Sequence, residues 1–114
     1  MARPVKSRTI CAKPKINMFG PKDFSDEIYV DMILEEFETI RLIDYNRLTQ
    51  EECASFMGVA RTTVQKIYDD ARNKIADALI NGKTLKIEGG NYRLCSNRPH
   101  RKYCYRKNCP IIND

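Results

Sequence analysis

The chain holds a single histidine, His100, and none of the GxSxG, P-loop or HExxH patterns occurs in its 114 residues. Those absences remove the familiar hydrolase, phosphate-cradling and metalloprotease arrangements. Cysteine-based catalysis would need a partner base, and His100 sits in an aperiodic tail, so the expectation is a protein that is not an enzyme. No stretch approaches the roughly 20 apolar residues that span a bilayer. The opening MARPVKSRTICAKPK lacks the apolar core of a secretory signal. A cytoplasmic protein with no membrane partner is therefore expected. In that reducing compartment, five cysteines favour thiols, metal ligands or redox switches over a disulfide framework, and an odd count points the same way.

What is present is charge, unevenly distributed. The apolar fraction of 42% beside 31% charged residues suits one soluble globular domain. The net charge of +5 conceals segregation: residues 1–22 carry six Lys/Arg and no acid, residues 23–52 carry ten Asp/Glu against Arg41 and Arg47, and residues 81–114 carry eight Lys/Arg against Glu88 and Asp114. Basic ends around an acidic middle suit a polyanion partner, whose counterions they would release, or serve as plain solubilising segments. Three divisions follow: a basic arm (1–22), a folded domain (23–94) and a basic, Cys-rich tail (95–114).

Three prolines and Gly20 keep the arm from forming a helix, with one short strand near Thr9 to Cys11. Leu34, Phe37, Ile40, Leu42 and Ile43 recur at helical spacing, predicting a helix over about 34–45. Its acids Glu35, Glu36 and Glu38 are expected to face solvent or a protein partner. Thr49 followed by Glu52 forms a capping-box pattern, which predicts a helix over about 50–57 that Gly58 breaks. A longer apolar stripe through Val64, Ile67, Tyr68, Ala71, Ile75, Ala78 and Leu79 then runs to Asn81-Gly82, a left-handed C-terminal cap that stops the helix near Ile80. The alternating TLKI and NYRL around Glu88-Gly89-Gly90 predict a small β-hairpin packed on the helices. The fold class is thus mainly α, three helices with a short C-terminal hairpin.

The corner at Gly58 has the parts of a helix-turn-helix: a small residue at the close approach, Ala54; a left-handed turn residue, Gly58; and apolar locks Cys53, Met57, Val59, Val64 and Ile67. Arg61, Thr62, Thr63, Gln65 and Lys66 lie on the opposite side of the second helix. Their side chains are those that bind base edges and phosphates. Arg61 and Gln65 are the candidates for bases, since Arg pairs bidentately with guanine and Gln with adenine. Thr62, Thr63 and Lys66 are the candidates for phosphates. Arg72 and Lys74, further along, could touch backbone, and Arg3, Lys6 and Arg8 of the arm could reach a minor groove.

The stretch from ILEEFETIRLIDYN through IEGGNYRL, with MARPVKSRTIC ahead of it, resembles the small prokaryotic predicted DNA-binding proteins of domain-of-unknown-function family one hundred and thirty-four. RLID, LTQEECA, GVARTTV and IEGGNYRL carry the resemblance, which covers about residues 1–95. It implies a helix-turn-helix similar to region four of bacterial sigma factors and a transcriptional regulator that binds double-stranded DNA, with no established active site. The alternative is a sigma-like interaction module that binds RNA polymerase or another protein through its acidic first helix. A homodimer is the default expectation, because one short recognition helix rarely suffices for affinity.

Cys95, His100, Cys104 and Cys109 give C-x4-H-x3-C-x4-C in the tail. Thiolate and imidazole are the ligands zinc prefers. The spacing is not that of common zinc ribbons, so zinc, an iron–sulfur cluster, a redox-sensitive disulfide and plain thiols all stay open. By the resemblance, Cys11 joins this set, linking arm and tail through one metal in a metal- or redox-responsive regulator. Cys53 is read as a core filler.

Overall fold

Local capping chemistry sets the helix ends. The structure, a computed structural model, describes residues 7–22 and 28–95. Helix α2 spans Gln50–Met57, and its N-terminus is the predicted capping box: Glu52 N donates to Thr49 Oγ1 at 3.1 Å and Thr49 N donates to Glu52 Oε1 at 2.9 Å. The helix stops at Gly58, left-handed at φ 72° and ψ 35°, a conformation that costs glycine nothing and a side chain about 1 kcal/mol or more. Helix α3, Arg61–Asn81, ends at Gly82 in the same conformation, one residue beyond the expected stop.

The expected helix over 34–45 is two structures. Helix α1 covers Leu34–Thr39 and a π-helical turn covers Ile40–Tyr45, where Asn46 N reaches back five residues to Arg41 O at 2.9 Å. The apolar periodicity does not distinguish a wider turn of this kind. Arg47 follows with φ 63°, sparsely populated for a residue with a side chain, and turns the chain so that Leu48 is buried ahead of α2.

The acidic residues of α1 do not face solvent, contrary to expectation. Glu35, Glu36 and Glu38 are 0%, 4% and 0% exposed, and each has found a cation. Glu35 Oε2 accepts from Arg8 Nη1 and from Asn91 N, both at 3.0 Å. Glu36 accepts from Ile33 N at the head of its own helix and from Lys74 Nζ of α3 at 2.8 Å. Glu38 takes Arg41 in a two-pronged pair, Nε at 2.9 Å and Nη2 at 2.8 Å, and accepts from Cys11 N at 3.0 Å. A buried carboxylate is tolerated only with such partners. Those partners come from four different parts of the chain, so the helix joins them.

The predicted hairpin does not form. Strand β1 is Arg8–Ile10, β2 Met18–Phe19, β3 Tyr29–Met32, β4 Thr84–Ile87 and β5 Tyr92–Leu94. Instead of pairing with β5, β4 lies between β2, antiparallel, and β3, parallel, while β5 pairs in parallel with β1. Parallel pairs need a long crossover, and the three helices supply it, running from the end of β3 to the start of β4. Positive φ at Gly89 and Gly90 carries the chain from one sheet to the other. At Gly90 a Cβ would overlap Glu35 Oε1, so the glycine is where the backbone passes the buried carboxylate.

From Ser7 onward the N-terminal segment is part of the domain, not a separate arm. Ile10 is fully buried and belongs to one core with Met32, Leu34, Leu42, Met57 and Val64. The fold is mainly helical with two small sheets, and the core lies between α1, α2, α3 and the strands.

Removing one member of a buried, bonded pair costs about 3–5 kcal/mol. Glu38→Ala should therefore lower the urea unfolding free energy by about that amount, against less than about 0.5 kcal/mol for Glu51→Ala on the exposed face of α2. Gly90→Ala should also destabilise by at least about 1–3 kcal/mol, because it adds a strained backbone to a direct overlap.

Candidate nucleic-acid interface

Val64 and Ile67 are buried on the inner side of α3, and Val64 belongs to one core with Cys53, Ala54 and Met57 of α2. With an apolar residue at every third or fourth position turned inward, the intervening residues turn outward. Arg61, Thr62, Gln65 and Lys66 are exposed, and Thr63 is half-buried at the edge. All five sequence-predicted residues thus occupy the first two turns of one helix, four of them open to a ligand. Lys66, 80% exposed, has Asp70 at 3.4 Å; such an exposed pair contributes little and leaves the ammonium available.

The helix start adds to this surface. Ala60 is the N-cap residue with no side-chain cap, and no acid lies in the first turn, so the positive end of the helix dipole is uncompensated. Thr63 N and Val64 N both donate to Ala60 O at 3.1 Å. Beside this start lies a depression of about 620 Å³ lined by Arg8, Ala54, Ser55, Gly58, Val59, Ala60 and Thr63. Arg8 is therefore next to the corner, but as part of β1 and held by Glu35, not as a mobile arm residue. Nothing local in the sequence signals this placement, because the parallel pairing of β1 with β5 joins segments far apart in the chain.

Arg72 is exposed but tethered, its guanidinium lying 5.6 Å from the Tyr68 ring centroid and donating to Tyr68 Oη at 3.1 Å. Tyr68 Oη in turn donates to Asp44 at 2.7 Å. Burial first, and the bond to Asp44 second, push the phenol above its ordinary range. Lys74 is turned to Glu36. Arg3 and Lys6 lie outside the described residues.

Of the sulfur and imidazole candidates, Cys11 and Cys95 each lie one residue past the end of a strand, β1 and β5, and both are half-buried. His100, Cys104 and Cys109 lie outside the described residues. Cys53 is fully buried beside Met57, with Sγ to Sδ at 3.7 Å. Desolvation, then the nearby Glu38 carboxylate, push its thiol up from 9.0 to about 12, which suits a core filler and not a ligand.

A mainly helical protein with two small sheets and an exposed, polar first half of its longest helix is what the chain defines. The family described as "Protein of unknown function DUF134" matches residues 1–95, and the chain belongs to it. A UPF0251 protein of Desulfitobacterium hafniense (strain DSM 10664 / DCB-2) is 58% identical over 97 residues, covering 83% of this chain and 78% of the relative. UPF0251 protein Teth514_1147 of Thermoanaerobacter sp. (strain X514) is 46% identical, covering 82% and 85%. A UPF0251 protein of Halothermothrix orenii is 42% identical over the whole of this chain and 96% of the relative. No solved structure matches significantly.

The state of Cys53 has a measurable consequence. Thiolate is the reactive form, so alkylation of the native protein near pH 8 should leave Cys53 unmodified until denaturant is added, as read by peptide mass analysis. Its folded-state value lies above the unfolded one, so the unfolded chain releases a proton between pH 9.0 and about 12 that the fold retains. The contribution to stability is full below that window and lost through it.

Proposed function

We propose that the protein is a sequence-specific DNA-binding transcriptional regulator with a sigma-region-four-like helix-turn-helix: α2 positions the chain and the N-terminal half of α3 enters the major groove. The observation that carries this reading is the partition of α3, whose Val64 and Ile67 are locked into the core while Arg61, Thr62, Gln65 and Lys66 project together from an uncapped helix start. Arg61 and Gln65 read base edges in this proposal. Thr62, Thr63 and Lys66 hold phosphates, helped by the helix dipole. Arg72, stacked on Tyr68, meets the backbone further along, and Arg3 and Lys6 reach the adjacent minor groove in this proposal.

The protein-docking alternative rested on an acidic α1 surface for RNA polymerase. Glu35, Glu36 and Glu38 are buried, an observation that favours the DNA reading over docking through α1. A homodimer remains part of the proposal. Leu79 and Ile80, 76% and 82% exposed, lie at the far end of α3, about 30 Å from its reading end at 1.5 Å per residue, where a second copy leaves the groove free.

Selection of bound fragments from a genomic library should return a consensus with two half-sites. On that consensus, Arg61→Ala and Gln65→Ala should each weaken binding by about 1–3 kcal/mol, roughly 5- to 150-fold, and relax preference at one position. Lys66→Ala should weaken all sequences alike and reduce the salt slope by about one. Unchanged affinity in both Arg61→Ala and Gln65→Ala would sink the reading. Leu79→Lys with Ile80→Lys should halve the mass measured by light scattering.

A further inference from the structure

Between the end of β1 at Ile10 and the start of β2 at Met18 the chain carries Lys13, Pro14, Lys15 and Asn17. Pro14 has no N–H to give to a ladder, and this stretch instead forms one wall of a depression of about 350 Å³. The turn at Glu88 and Gly89 and the ring of Tyr92 form the rest of its sides. Leu34 and Ile87, 4% and 3% exposed, lie at its floor. Backbone bonds tie these parts together: Ile87 N donates to Asn17 O at 2.8 Å, and Leu34 N donates to Gly89 O at 3.0 Å. The depression is therefore preformed and falls in the size range of ligand pockets.

Its lining has two chemistries. Leu34, Ile87 and Tyr92 offer apolar and aromatic surface, which a flat hydrocarbon body covers. Lys13 and Lys15 are exposed at the rim, and neither has an ion pair or hydrogen bond among the described residues. Glu88 is exposed as well, but Lys86 Nζ lies 3.5 Å from its carboxylate, which leaves the rim net positive. The other depressions lack this combination. In the one lined by Phe19, Ile75, Leu79 and Leu85 the cation, Lys83, is bonded to Asp77 at 3.0 Å, and in the one at the start of α3 Arg8 is held by Glu35. At about 30 Å³ for a water-sized group, the space beside Lys13 and Lys15 takes about a dozen non-hydrogen atoms.

The geometry points to a binding site for a small aromatic anion, its ring against Leu34, Ile87 and Tyr92 and its phosphate or carboxylate held by Lys13 and Lys15. Charge-assisted hydrogen bonds from the two ammonium groups fix the head, and the Asn17 side chain adds a donor and an acceptor on the same wall. A bound ligand joins residues 13–17 to the start of α1 and to the turn before β5. None of Arg61 to Lys66 lines the site, so the assignment does not rest on DNA binding.

The test uses phenyl phosphate and benzoate as probes, with inorganic phosphate and phenol as the head and the body alone. Titrations of the full-length protein, followed by amide chemical shifts, should show phenyl phosphate or benzoate binding at about millimolar or tighter, as a ligand of about a dozen atoms allows. The tighter of the two identifies the head group. Shifts should centre on Lys13, Lys15, Asn17, Gly89 and Tyr92, and the bound probe should raise the thermal midpoint. Lys13→Ala with Lys15→Ala, both exposed and so harmless to the core, should weaken binding at least about tenfold. Lys22→Ala, which removes the same charge outside the depression, should leave it unchanged. Four results overturn the site: no binding of either probe at about 10 mM; inorganic phosphate or phenol binding as tightly as the joined molecule; shifts centred on Phe19 and Leu79 instead; or full affinity in the Lys13, Lys15 double variant.

Discussion

Three carboxylates on six residues of helix hold this protein together. Glu35, Glu36 and Glu38 bring β1, the loop before β5, α3 and the π-helical turn onto α1, each through a bonded cation or backbone N–H. Ion pairs of this kind add little net stability over an apolar core of the same shape, since desolvation offsets much of the attraction. What they add is definition. An unpaired carboxylate at any of the three positions would be costly, so arrangements of the strands that leave one unpaired are disfavoured. One oxygen, Glu35 Oε1, is buried with no hydrogen-bond partner among the described residues and sits against Gly90.

The proposed reading surface depends on that framework. Lys74 on Glu36 ties the middle of α3 to α1, and Val64 and Ala71 fix its roll against the core. With rotation about its axis set, the direction in which Arg61, Gln65 and Lys66 project is set as well. A recognition element must be held to within a fraction of an ångström to discriminate bases, and a 21-residue helix anchored at several points along its length meets that need. Arg8 links the two regions: its guanidinium ends on Glu35 while its side chain lines the depression at Gly58 and Thr63. Whatever holds β1 against β5 also holds this corner.

Features written in neighbouring residues were legible. The Thr49–Glu52 capping box, the left-handed stops at Gly58 and Gly82 and the inward stripe from Val64 to Ala78, though not its expected last member Leu79, which is exposed, each depend on residues within a few positions of one another. The five polar residues at the start of α3 were legible for the same reason. The strands over 84–87 and 92–94 were legible as strands, but their partners were not: alternation specifies which face is apolar and says nothing about which edge is met. Two segments separated by a Gly-Gly turn suggest a hairpin, yet β2 and β3 compete for the edges of β4 and β1 takes β5.

The acids of α1 show the same division most clearly. By itself, the sequence determined that a helix begins near Leu34 with carboxylates in its first turns, because that is a matter of local spacing and of the helix dipole. Whether those carboxylates meet water or cations was decided by Arg8, Lys74, Arg41 and Asn91, drawn from four parts of the chain. Charge along a chain is a one-dimensional quantity; desolvation and pairing energies depend on distance in space. Only when parallel strands brought β1 beside β5 did Arg8 reach Glu35, and no residue adjacent to either announces it.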